Sequence, residues 1–199
     1  MAAVFAPLLV VTVVGAACSS TPASTAPTVV VARGSVQCST VTGSVDFAPP
    51  LTTKGTSAET TTISVTSSDC AVTGSNVNAV KSGVGTATIS SPTNSCAGLL
   101  TPRPLSVDVT WDPSLVHTSV VMFSGYTVDT NGPGGGGGFT LPDTGGTAKV
   151  TGSFAGSDKG AGSTAATYSN MTTNQLLAAC GSSTGLASIP VTSGTISLK

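Results

Sequence analysis

Cysteine is the residue type best equipped for chemistry in this chain, and the spacing of the five cysteines indicates which chemistry. Cys38, Cys70, Cys96 and Cys180 form no CxxC pair and are accompanied by a single histidine, so neither a zinc ligand set nor a dithiol redox motif is expected. In an exported chain four such thiols read as two disulfides. Three connectivities are open. Cys38 with Cys70 and Cys96 with Cys180 is favoured, because the first bond would join successive strands and the second would tie the one expected helix to the sheet. Cys18 is the odd thiol and follows Val14-Gly15-Ala16-Ala17, a loose match to the bacterial lipobox with Gly15 in place of leucine. It is a lipidation candidate, with removal alongside an export signal as the alternative.

The remaining motifs carry less. His117 is the sole imidazole, and Asp108 or Asp112 could approach it across a hairpin to make a general base, although an exposed turn histidine is the commoner case. Gly181-Ser182-Ser183-Thr184-Gly185 fits G-x-S-x-G, but it follows a helix instead of opening one, and no acid or histidine lies downstream. Gly132, Gly134 and Gly137 fit a dinucleotide fingerprint inside a polyglycine run with no helix to receive a phosphate. Asp129, Asn131 and Asp143 could offer oxygens to calcium but fall short of the six ligands it prefers. Trp111 and Tyr126 would make a sugar-stacking platform if they faced outward, yet Trp111 shares its strand face with Val107 and Val109, which favours the core. Trp111, Tyr126 and His117 therefore stand as weak candidate ligand contacts. No catalytic residue, metal or cofactor is expected.

What positions these residues follows from composition and periodicity. Seven basic and eight acidic side chains leave a net charge of -1, so no field draws in nucleic acid. Residues 1–17 contain an apolar run, Ala2 to Val14, of the length of an export signal and too short for a spanning helix, though no basic residue precedes it. Residues 18–34 are rich in Ser, Thr, Pro and Ala and read as a tether. Residues 35–199 are expected to be a single β domain.

Within it, Leu105, Val107, Val109 and Trp111 alternate with polar residues, and a second run from Val116 to Val128 follows the turn residues Asp112 to Ser114, giving a central hairpin. Strands are also expected at Val36–Phe47, ended by Pro49 and Pro50, at Thr60–Ser67, ended by a turn at Ser68 and Asp69, at Val84–Ser90 and at Gly146–Phe154. The glycines between Asn131 and Gly137 read as a surface loop. Ile189–Val191 and Thr195–Leu198 read as a closing hairpin. A short helix is expected at Thr172–Cys180, capped by Thr172 with Gln175 and stopped by a left-handed Gly181. The fold class is thus all-β, an antiparallel β-sandwich or flattened barrel of about eight or nine strands with one short helix.

The stretches Phe47-Ala48-Pro49-Pro50-Leu51-Thr52-Thr53, Asn94-Ser95-Cys96-Ala97-Gly98-Leu99-Leu100-Thr101 and Gly152-Ser153-Phe154-Ala155-Gly156-Ser157-Asp158, with Cys180, resemble a family of uncharacterised exported actinobacterial proteins over about Val36 to Lys199. That resemblance implies an exported, disulfide-bonded all-β domain and brings no functional residues with it. The expected function is a non-catalytic binding module of the envelope or cell surface, secreted or held to the membrane only through a lipid on Cys18. Envelope polysaccharide or protein is its candidate partner. A self-associating adhesive protein and a hydrolase using His117 are the alternatives.

Overall fold

The computed structural model describes residues 31–77, 80–112, 117–129, 136–141, 149–156 and 163–199, and of residues 117, 126–129 and 136–141 the backbone alone. The expected signal, Cys18 and most of the tether lie outside the described residues, as do Asn131 and Asp143. Among the described residues the first buried one is Ala32; its N–H donates to Ser153 Oγ at 3.0 Å and its carbonyl accepts from the Phe154 N–H at 2.7 Å.

Five antiparallel strands follow one another: β1 (Ser35–Leu51), β2 (Glu59–Thr73), β3 (Ser82–Ser91), β4 (Arg103–Asp112) and β5 (His117–Asp129), each paired with the next. A single 3-10 turn, η1 (Cys96–Leu100), separates β3 from β4. β6 (Gly136–Leu141), β7 (Lys149–Gly152), β8 (Thr164–Thr172), the helix α1 (Thr173–Gly181), β9 (Leu186–Val191) and β10 (Ser193–Leu198) complete the described elements. β5 pairs with β6, β6 with β8, β8 with β10, and β10 with β1, so eight strands close into a ring. β7 lies beside β5, and β9 beside β1. The fold is the barrel of the two expected all-β forms. Closure satisfies the edges that a low-charge, Thr-rich sheet would otherwise expose. The alternation puts Val41, Val45 and Phe47 of β1 and Leu105, Val107, Val109 and Trp111 of β4 inside, while Ser106, Asp108, Thr62, Ser64 and Thr66 face water.

Several expectations are corrected. β1 does not stop at Pro49 and Pro50 but reaches Leu51, because the prolines fall where its register with β9 shifts, between Asp46 and Leu51, a position that does not need their missing N–H. β2 runs straight through Ser68 and Asp69. Asp69 adopts φ 53, which a short polar side chain tolerates, and its carboxylate accepts from Thr40 Oγ1 at 2.9 Å on the neighbouring strand. Gly136 and Gly137 belong to β6 and not to a loop, since backbone groups of β5 and β8 on either side supply the pairing that glycine itself cannot favour. The strand expected over Gly146–Phe154 is shorter, ending at Gly152 (φ 81), with Phe154 (φ 58) in the turn beyond.

The closing hairpin is absent. β9 and β10 are not paired with each other; both lie along β1 in one continuous antiparallel register, from Ile189 opposite Val45 to Leu198 opposite Val36. Thr192 merely hands the chain from one neighbour to the next, its N–H donating to the Tyr168 carbonyl at 2.8 Å. β8 had no counterpart among the expected strands.

The helix forms where its capping residues place it. Thr172 Oγ1 accepts from the Gln175 N–H at 3.3 Å, and Gln175 Oε1 accepts from the Thr172 N–H at 2.8 Å, the reciprocal capping box. Its stop differs from expectation: Gly181 ends the helix, Ser182 caps it in an extended conformation, and the left-handed residue is Gly185 (φ 71). Thr172→Ala is expected to destabilise the protein by about 1 kcal/mol, read from the urea midpoint, with Thr172→Ser restoring most of it.

Candidate functional site

Both disulfides form as expected. Cys38 of β1 and Cys70 of β2 are direct register partners, and Cys96 in η1 is bonded to Cys180 at the end of α1. The second bond straps two elements over the same barrel end. Between them, the Thr52 carbonyl accepts from the Cys96 N–H at 3.0 Å and the Thr53 N–H donates to the Cys180 carbonyl at 3.1 Å.

An eight-stranded barrel has a bore just wide enough to be filled by side chains or to hold one small ligand. Which of these it does depends on residue size at each level. At one end the bore is plugged. Trp111, fully buried, packs edge-on against Phe154 with ring centroids 5.4 Å apart and an interplanar angle of 86°. Its indole N–H donates to Ser119 Oγ at 2.8 Å, and Ser119 Oγ donates to the Ser153 carbonyl at 2.5 Å, so the buried polar atoms of this plug are hydrogen-bonded to one another. Gly83 makes room for the indole, since a Cβ there would lie 2.7 Å from Trp111 Cε3.

At the waist the inward residues are small: Val45, Val65, Gly85, Val107, Val121 and Ala165. They leave a cavity of about 70 Å³. One water needs roughly 10–15 Å³ and two to four polar partners. The space exceeds that several-fold and its walls are almost wholly apolar. Ser67, among the few polar lining residues, already donates its hydroxyl to the Gly83 carbonyl at 3.2 Å.

At the opposite end, Phe47 and Leu99 line both this cavity and a second, smaller pocket of about 10 Å³ beneath η1. Glu59, Thr61 and Arg103 also line the small pocket. Glu59 is only 4% exposed, and Thr61 Oγ1 donates to its Oε1 at 2.7 Å. Arg103 Nη2 donates to Ser91 Oγ at 3.1 Å, and Ser91 faces Glu59 in the β2–β3 register.

The candidates read from sequence fare differently. Trp111 is sealed in the core, as its shared strand face with Val107 and Val109 led one to expect, and does not face outward as a stacking platform. The side chains of His117 and Tyr126 lie outside the described residues; in backbone register His117 faces Trp111 and Tyr126 faces Arg103, while Asp108 is paired with Val120. Asp112 is exposed and accepts from Ser82 Oγ at 3.4 Å. Ser183 is exposed in the bend after α1, where the Ser182 hydroxyl donates to the Ala179 carbonyl at 2.8 Å, so the G-x-S-x-G match is a helix stop. Among the described residues no group of three His, Cys, Asp or Glu side chains could hold a metal ion.

Sequence reasoning passed over Glu59 and Arg103. The available signal was that Glu59 is the only glutamate in the chain and sits at an inward position of a strand whose other inward residues are Thr61, Ile63, Val65 and Ser67. Comparison with known proteins finds no matching family model, no matching curated protein and no matching solved structure.

Proposed function

We propose that this protein is a non-catalytic binding module of the extracytoplasmic space that holds a small apolar ligand inside its barrel. The observation that carries the reading is the apolar cavity of about 70 Å³ at the waist, walled by small side chains and closed at one end by the hydrogen-bonded Trp111 plug. A void in a close-packed interior forfeits dispersion contacts, and an apolar ligand restores them without leaving polar groups unpaired. The two disulfides are the covalent chemistry of an oxidising compartment. The signal-like run before Cys18 supports export, either secreted or lipid-anchored through that cysteine. The buried Trp111 weighs against polysaccharide stacking, and ring closure weighs against self-association through long bare strand edges.

The test is titration of the folded protein with xenon, an apolar probe small enough for a cavity of about 70 Å³, read by methyl NMR. The methyls of Val65, Val107 and Val121 are expected to shift saturably while surface methyls stay still. Gly85→Val projects new methyls towards Val65 Cγ2 and Val107 Cγ1, which stand 3.1 and 3.2 Å from a Cβ at position 85. This variant is expected to weaken xenon binding about tenfold or more, for an overpacking cost of roughly 1–3 kcal/mol in stability. Shifts scattered over the surface, or binding indifferent to the variant, would refute the reading.

A further inference from the structure

Residues 31–33, which precede Gly34 and β1, form a strap at the plugged end of the bore. The Asn76 side-chain amide, in the connection after β2, accepts from the Arg33 N–H at 2.8 Å and donates to the Val31 carbonyl at 3.3 Å. Ala32, between them, bonds Ser153 Oγ through its N–H and the Phe154 N–H through its carbonyl, and is only 1% exposed. Four hydrogen bonds to three consecutive residues thus tie the strap to the β2–β3 connection on one side and to the turn after β7 on the other. A chain segment outside the sheet keeps one place only when it is tied down in this way. Gly34 is the pivot between strap and barrel: it adopts φ 85, and a Cβ there would collide with the Thr73 carbonyl oxygen.

The two residues that the strap grips are the two that hold the plug. The Ser153 carbonyl accepts from Ser119 Oγ, which accepts from the Trp111 indole, and the Phe154 ring meets that indole edge-on. Phe154 adopts φ 58, a left-handed conformation in which the Cβ of a non-glycine residue crowds the following carbonyl. Such a residue stays put only where its surroundings over-determine it. Its N–H bond to Ala32 and its ring contact with Trp111 both hold it there, and Gly152 (φ 81) leaves the turn free to rearrange once one of them is lost. We infer that residues 31–33 are a latch on the Trp111 plug. With the strap seated, Phe154 is held against the indole and this end of the bore is shut. With the strap withdrawn about Gly34, Phe154 relaxes, the indole loses its edge contact and the plug loosens. The latch ties the state of the plug to the chain that precedes it in sequence, so a force or partner acting on that chain is felt at Trp111. The coupling stands independently of any ligand in the cavity.

Trp111 is the only tryptophan in the chain, so acrylamide quenching of its fluorescence reads the plug directly. The experiment compares the full chain, disulfides intact, with two variants, and follows amide exchange at Phe154 alongside. Ala32→Glu places a charge at a buried position and drives the strap off its seat. Asn76→Ala acts more gently: Asn76 is exposed, and among the described residues its side chain bonds the strap alone, so any effect on Trp111 must pass through the strap. Ala32→Glu is expected to raise the quenching constant about threefold or more and to speed Phe154 amide exchange about tenfold or more, with Asn76→Ala changing both in the same direction by less. Far-UV circular dichroism should stay that of the folded barrel in both. Fast Phe154 exchange with quenching at the parent level would show that strap and plug are independent and overturn the inference. Unchanged exchange in Ala32→Glu would overturn it too, because the strap would not be what holds Phe154. Loss of the folded signal in Ala32→Glu, with Asn76→Ala unchanged in quenching, would make residues 31–33 part of the cooperative core and not a latch.

Discussion

Trp111→Ala should destabilise the protein by about 3–5 kcal/mol, the largest effect expected of any single side chain here. The indole is fully buried, makes an edge-on contact with Phe154, and supplies the N–H that bonds Ser119 Oγ. Truncation removes the plug from one end of the bore and leaves a void that Gly83 cannot fill. In a domain of this size the loss corresponds to a fall in Tm of about 10 °C or more. Urea and thermal unfolding measure it, and near-UV circular dichroism should lose the sharp tryptophan signal already in Trp111→Phe. That milder variant keeps most of the bulk but removes the donor, so roughly 1–3 kcal/mol is expected. A change under about 1 kcal/mol for the alanine variant would mean that the indole is not part of the packed core.

Removing the Cys96–Cys180 bond as a double serine variant should destabilise by up to about 4.5 kcal/mol in the chain-entropy model, against about 3.5 kcal/mol for Cys38–Cys70. The sequence separations are 84 and 32 residues. The ordering has a second cause in the fold. Cys38 and Cys70 sit on strands that the ladder already holds side by side, whereas η1 and α1 belong to no common ladder and are each hydrogen-bonded to the segment Thr52–Thr53. Loss of the second bond should therefore loosen the barrel end first. Amide exchange at Thr101, whose N–H donates to the Gly98 carbonyl at 3.2 Å, is expected to accelerate in the Cys96→Ser/Cys180→Ser variant and to stay near the parent rate when Cys38 and Cys70 are replaced. The reverse order would show that the strap does not hold η1.

The two predictions bear on function through the same geometry. Trp111 closes the end of the bore away from the small pocket, and Cys96–Cys180 holds the lid above it, so ligand entry is expected at the η1 end. Leu99 stands at that entrance, lining both spaces.

What the amino-acid sequence determined by itself are the features whose physics is local. The alternation of Leu105 to Trp111 set a strand face, because successive side chains of an extended chain point to opposite sides. Thr172 with Gln175 set a helix start, because the donors they satisfy lie within one turn. The cysteines left three pairings open, of which strand order and the position of the one helix favoured the pairing that the structure shows. Features settled by neighbours distant in the chain required the tertiary structure. β8 was not legible because its inward positions are Ala165, Thr167 and Ser169, too small and too polar to register as a strand period, and they are small because they wall a narrow bore. The glycines of β6 carry no propensity at all and are held extended by β5 and β8. β9 and β10 looked like a hairpin because Thr192 to Gly194 supplies turn residues, yet β1 is long enough to pair with both, and one continuous ladder satisfies more backbone groups than a three-residue reversal. Glu59 and Arg103 are 44 positions apart in the chain, and the pairing of β2 and β4 on either side of β3 brings them to one pocket; a lone glutamate in an alternating strand reads as surface until closure turns that face inward.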